Sequence, residues 1–117
     1  MHEMTPEEIN KEINDTTKVI KDIAGVDVKF FRPPYIALSD TMYDTIKFPF
    51  ICGVDSKDWD APVTTQERID NVVNAAADGN IYLMHDFNDN VKTLEALPVI
   101  IKELKEKGYE FATMSQI

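Results

Sequence analysis

Four short apolar runs, separated by stretches of helical periodicity, limit this chain to very few folds. "VKFF" (28–31), "PFICGV" (49–54), "IYLM" (81–84) and "YEFAT" (109–113) each read as a buried strand. Before the first run, "TPEE" supplies a capping box, with Thr5 as cap, Pro6 at the first helical position and Glu8 reaching back. Ile9, Ile13, Ile20 and Ile23 then recur at helical spacing up to Gly25. "LSDTMYDTI" predicts a short helix from near Ser39, and "RPPY" after the first strand ends it by removing two ladder donors. A second capping box, "TTQE" at 64–67, opens a helix with Ile69, Val72, Val73 and Ala76 on one face and Gly79 at its end. The last helix presents Leu94, Leu97, Ile101 and Leu104, with Pro98 in or near its first turns and Gly108 beyond it.

The order is therefore α–β–α–β–α–β–α–β. Uninterrupted apolar strands joined by amphipathic helices imply an α/β fold with a parallel sheet and right-handed crossovers. With 117 residues, the chain suffices for one small domain, residues 1–117, with a modest core. No apolar run approaches membrane-spanning length. The net charge of −9 argues against nucleic acid and anionic membranes as partners, both of which call for basic patches. The single cysteine, Cys52, lies in an apolar run and reads as a buried structural thiol. The opening "MHEMTPEEIN" is polar and acidic, unlike a basic-then-apolar leader.

A parallel sheet delivers the carboxyl ends of its strands to one edge, where α/β active sites form. The first strand is followed by Arg32, Pro33, Pro34 and Tyr35, the second by Asp55, Asp58 and Trp59, and the third by His85 and Asp86. A histidine at that edge suits general acid or base work. Asp58 can orient it, Arg32 can grip another carboxylate in a fixed fork, and Trp59 can wall a sugar groove. Taken singly, each has a plainer reading. The histidine is a loop residue, the prolines a turn, Trp59 core, the aspartates a solvated loop, and Asp86 a turn or cap. Their shared edge is what argues for a site.

These residues carry a resemblance. "RPPY", "DSKDW" and "IYLMHD" look, in this order, like the later motifs of the polysaccharide deacetylases (NodB-homology domain, carbohydrate esterase family 4). Arg32–Pro33–Pro34–Tyr35 matches an arginine–x–proline–aromatic motif, and Asp55 to Trp59 an aspartate–x–x–aspartate–tryptophan motif. Ile81 to His85 matches aliphatic–x–leucine–x–histidine, and the tail resembles the family's last helix and strand. The family's opening threonine–phenylalanine–aspartate–aspartate–glycine strand has no counterpart here, and of its two metal-ligating histidines four apart only His2 stands at a matching place. His2 is either the second of those ligands or a terminal residue without a role. Ile36 stands where a glycine often follows the family's motif.

The resemblance implies the C-terminal portion of a distorted (β/α) barrel of the glycoside hydrolase/deacetylase type. It also implies metal-dependent hydrolysis of acetyl groups from a polysaccharide, either N-acetylated (peptidoglycan, chitin-like) or O-acetylated (xylan). In that scheme a divalent ion, zinc-like, activates water, and an aspartate missing here takes its proton. The Tyr35 backbone N–H and the metal hold the oxyanion, Arg32 positions the base, and His85, tuned by Asp58, protonates the leaving group. Leu83 lines the acetyl pocket, while Pro34 and Trp59 belong to the substrate groove. The expected partners are an acetylated polysaccharide and either the missing amino-terminal segment or a second copy. The expected location is the cell envelope or outside the cell, and this chain alone is expected to be inactive and to bind zinc weakly or not at all. Two other readings remain: a non-catalytic remnant that binds sugar or a partner, and an unrelated small α/β regulatory domain.

Overall fold

The structure is a computed structural model and describes residues 1–116. It divides into two compact units, Met1–Cys52 and the residues from Gly53 onward.

In the first unit, helix α1 (Pro6–Ala24) starts as its sequence dictates. Thr5 and Glu8 close the capping box in both directions, and Gly25 ends the helix in the left-handed conformation, its N–H donating to Lys21 O. Helix α2 (Asp40–Thr45) is capped by the Ser39 hydroxyl. Ile9, Met42 and Ile46 are buried together, flanked by Ile13, Phe31, Phe48 and Phe50. This cluster reaches only the first half of α1, so Ile20 and Ile23, expected on a buried face, are exposed. The expected strand 28–31 contracts to one parallel bridge, Phe31 to Phe50, held by Phe31 N–H to Pro49 O (2.9 Å) and Ile51 N–H to Phe31 O (2.8 Å). Arg32 follows it and is exposed, Pro33 is buried, and Pro34–Ile36 form a 3₁₀ turn. Cys52, expected to be buried, is exposed.

The second unit is built on strands β1 (Val54–Asp55) and β2 (Tyr82–Leu83), helix α3 (Thr65–Val73) and helix α4 (Val91–Glu106). The strands pair in parallel, Val54 opposite Tyr82 and Asp55 opposite Leu83. Gly53 permits this pairing. A Cβ there would lie 3.0 Å from Leu83 N and 3.1 Å from Ile81 O, inside ordinary contact. Helices α3 and α4 pack on each other through Ile69, Val72, Val73, Ala96, Ile100 and Leu104. The apolar face of α4 is thus rotated from the expected one. Thr93, Ala96, Ile100 and Leu104 are buried, while Leu94 and Leu97 are exposed. Pro98 lies mid-helix on the exposed side rather than in the first turns. Helix α3 stops at Val73, with Asn74 as its cap, earlier than Gly79 suggested.

The fourth expected strand, 109–113, makes no ladder among the described residues. The end of α4 explains its start. Gly108, in the left-handed region, donates to Lys105 O and Tyr109 N–H donates to Leu104 O, the paired bonds of a Schellman stop. The Tyr109 hydroxyl is drawn to Ala76 O (3.1 Å). The chain leaves the helix as a cap, not as a strand.

The turn at Pro34–Ile36 holds stored strain. Tyr35 (φ 56) and Ile36 (φ 55) are both left-handed, although neither is glycine. For a β-branched residue this costs roughly 1–2 kcal/mol, partly offset in a glycine variant by the extra freedom of its unfolded chain. Replacing Ile36 by Gly should raise the unfolding free energy by about 0.5–1 kcal/mol. Urea denaturation checks this: an unchanged or lower midpoint would show that Ile36 packs well enough to compensate.

Candidate functional site

The second unit carries a polar centre at the carboxyl ends of its two strands, assembled from residues that the loop after β1 holds in place. Asp55, the last residue of β1, accepts the Lys57 N–H (2.7 Å) on one oxygen and the Trp59 ring N–H (3.2 Å) on the other. Lys57 turns the chain through the left-handed region (φ 56). Ser56 is fully buried. Its hydroxyl donates to Leu83 O (2.9 Å) and accepts the Asp58 N–H (3.3 Å), and its carbonyl accepts from Asn71 of α3 (3.0 Å). The loop is therefore tied to both strands and to α3, and its polar side chains serve that anchoring.

Asp58, only 1% exposed, is the group this scaffold serves. One carboxylate oxygen accepts the Nδ1–H of His85 at 2.7 Å. The other accepts the His85 backbone N–H (2.6 Å), the Thr93 hydroxyl (3.1 Å) and the Asn90 amide (3.3 Å). Burial pushes the Asp58 carboxyl up. The hydrogen bonds from the His85 ring and backbone, the charge of His85 and the Thr93 hydroxyl together outweigh burial and hold it below the usual carboxylate range. The pair is thus an ionised aspartate gripping a histidine by side chain and backbone at once.

The geometry fixes which histidine nitrogen can act. With Nδ1–H committed to Asp58, the neutral ring leaves Nε2 as its free acceptor, and the charged ring donates from Nε2. The ring is one-third exposed and lies 5.9 Å from Phe87, centroid to centroid. Trp59 is more than half exposed, its ring N–H anchored to Asp55, so its face is open to solvent. Leu83 is half-buried in β2, while Asp86 is exposed and bonds to no member of the pair. Arg32, Pro34 and Tyr35 belong to the first unit, where Tyr35 is fully exposed.

Sequence reasoning missed Asn90 and Thr93. Asn90 is the α4 cap residue and also donates to His85 O (3.0 Å). Thr93 lies three residues further along, on the buried face of α4. Small polar residues three apart at a helix start, directly after a histidine loop, were the available signal.

The residues present do not make a catalytic divalent-metal site. Such a site takes about three protein ligands with an open position. Among the described residues no group of three histidine, cysteine, aspartate or glutamate side chains converges. His85 Nδ1 is held by Asp58. His2 is exposed, and its Nε2 lies 3.8 Å from one carboxylate, that of Glu3.

Parallel strand ends, a buried aspartate and a histidine locked to it mark part of an α/β domain with a carboxylate–histidine pair at its sheet edge. Comparison with known proteins says which. Residues 1–48 match the family model for polysaccharide deacetylases. The whole chain is 46% identical to part of a bifunctional xylanase/deacetylase of Pseudobutyrivibrio xylanivorans, covering 19% of that protein. It is 33% identical over 115 residues to a peptidoglycan-N-acetylmuramic acid deacetylase of Bacillus subtilis (strain 168), covering 97% of this chain and 24% of that one. Among solved structures, a family 4 acetyl xylan esterase from Clostridium thermocellum, in complex with a cobalt ion, superposes with a TM-score of 0.90 at 39% identity, covering 99% of this chain and 57% of that one. The chain belongs to the polysaccharide deacetylases of carbohydrate esterase family 4, and its fold is that of part of their distorted barrel. It spans a fifth to a quarter of these two curated relatives and somewhat more than half of the solved domain.

Because Asp58 is held below its ordinary value, its contribution to stability is complete above the unfolded-state pKa of about 3.9 and is lost as the pH falls through the lower folded-state value. Urea unfolding of the wild type should therefore show stability declining below about pH 4. Asp58→Asn should be less stable at neutral pH and lose less on acidification. A variant with the same acid-induced decline as the wild type would assign that decline to other carboxylates.

Proposed function

We propose that this chain is part of a hydrolase that removes acetyl groups from an acetylated polysaccharide, with His85 as its general acid. The observation that carries the reading is the doubly held Asp58–His85 pair, which fixes one tautomer and leaves Nε2 to work. Protonation at Nε2 gives a donor for the departing sugar nitrogen or oxygen, and Asp58 stays ionised beneath it as the counter-charge. Trp59, anchored by Asp55 and exposed, offers a flat face to a sugar ring, and Leu83 offers an apolar wall to the acetyl methyl. In the same reading, Pro34 belongs to the substrate groove, the Tyr35 backbone N–H supports the oxyanion and Arg32 positions the base. The turn bonds run from Ile36 to Pro33 and from Ala37 to Pro34, so the Tyr35 N–H takes part in neither.

The relatives' names support acetylated xylan or peptidoglycan as the substrate class, and with it a location at the cell envelope or outside the cell. Residues 1–117 act in this reading as one C-terminal portion of the catalytic domain. The divalent ion, zinc by the resemblance, is held mainly by residues other than those present, with His2 as the one ligand contributed here. A second reading, a sugar- or partner-binding remnant, is favoured by the lack of a three-ligand cluster among the described residues.

Acetate release from acetylated xylo-oligosaccharides and from peptidoglycan fragments, with added zinc, separates these readings. The 117-residue chain should be inactive alone and become active once the complementary portion of a deacetylase domain is supplied, in cis or as a separate polypeptide. Binding of either glycan without acetate release in the completed domain would favour the remnant. In the completed domain, His85→Ala should lower kcat by about 10²–10⁴-fold with a far smaller change in KM. Unchanged turnover on a substrate with a poor leaving group would remove the general acid role from His85.

A further inference from the structure

Arg68 is a cation with no business being buried unless something needs it. It sits on α3 with 2% of its surface exposed, between core residues, and no carboxylate lies within ion-pairing distance among the described residues. A guanidinium removed from water must find hydrogen-bond acceptors to be tolerated. Arg68 has four. Nε donates to Val63 O (3.3 Å) and one terminal nitrogen to Asp60 O (3.2 Å). The other terminal nitrogen donates to Asn90 Oδ1 (2.6 Å) and to the Thr93 hydroxyl oxygen (2.8 Å).

Asn90 and Thr93 are the two side chains that, besides the His85 ring, donate to Asp58. Each accepts from Arg68 with one atom and passes a hydrogen to the same Asp58 oxygen. The Thr93 hydroxyl has one hydrogen, and with Arg68 on its lone pair that hydrogen goes to Asp58. The Asn90 amide cannot flip, because its oxygen faces a cation and its nitrogen faces a carboxylate and the His85 carbonyl. Cation and anion are therefore coupled through two polarised bridges. A direct Arg–carboxylate fork would occupy the oxygens that His85 uses. At one remove, the cation compensates the buried carboxylate and leaves it free for the imidazole.

We propose that Arg68 is a positioning residue of the Asp58–His85 pair, acting through Thr93 and Asn90 as a buried counter-cation that fixes Asp58 in the rotamer that orients His85. The proposal deepens the functional reading above and rests on it for catalysis, but its structural core concerns the pair alone. The other charged groups nearby do not substitute. Lys92 of α4 is bound to the carbonyls of Ala61 and Val63, and Asp55 is committed to Lys57 and Trp59.

NMR on the full chain tests it without requiring activity. In the wild type, the Arg68 side-chain N–H resonances should titrate with the midpoint of the Asp58 carboxyl carbon, and the His85 ring nitrogens should report the Nδ1–H tautomer. Arg68→Gln keeps polar donors but loses the charge. It should raise the Asp58 midpoint by about half a pH unit or more and reduce the Nδ1–H tautomer, while Arg68→Lys recovers part of both. In the completed domain, Arg68→Gln should lower kcat several-fold with little change in KM. Arg68→Gln that folds normally with an unshifted Asp58 midpoint and an intact tautomer would overturn the proposal and leave Arg68 a structural clamp. Should the neutral variant not fold, wild-type Arg68 resonances that ignore the Asp58 titration overturn it equally. Failure of acetate release with these couplings present would fault the deacetylase reading and leave Arg68's role standing.

Discussion

The second unit is organised around one problem: keeping a carboxylate ionised where almost no water reaches it. Asp58 meets four donors, two of them from one histidine, and the elements around it can be read as the means of delivering those donors. Strand β2 brings the His85 ring and backbone, the first turn of α4 brings Asn90 and Thr93, and Ser56 pins the loop so that Asp58 faces them. A buried charge left short of any of these would cost several times what a single ordinary hydrogen bond contributes, so the arrangement is stable as a set.

The backbone reflects the same demand. Ladders of only two residues hold β1 and β2, too few to fix the ends of the strands by themselves. Side-chain bonds finish the task, with Ser56 bridging to Leu83 across the pairing and Asn71 reaching back from α3. Gly53 lets the strands close to a distance that a larger residue would forbid. Position at this site is set more by polar anchoring than by sheet.

Much of this was legible in the sequence, and the illegible part has physical causes. Both capping boxes and the short helix after Ser39 followed from local rules because the bonds that make them are local. The order of "RPPY", "DSKDW" and "IYLMHD" pointed to the family and to Asp58 and His85. What failed depended on packing at a distance. Leu94 and Leu97 look like a helix face, yet the side chain needed at Asp58 is Thr93, and its inward orientation turns those leucines out. "YEFAT" has strand composition, but its first residue is consumed by the stop of α4. Arg68 is adjacent to Ile69 and one turn before Val72, so its position on an apolar face was visible. A charged residue on such a face reads as an exception until its acceptors are known.

All the hydrogens around Asp58 point the same way. Arg68 gives to Thr93 and Asn90, these give to Asp58, and the imidazole gives to Asp58 from its other side. A carboxyl that took up a proton would itself have to become a donor in a shell made only of donors. The network thus favours the ionised carboxylate over the protonated one, and it leaves Nε2 as the one ring nitrogen of His85 that is not committed to Asp58.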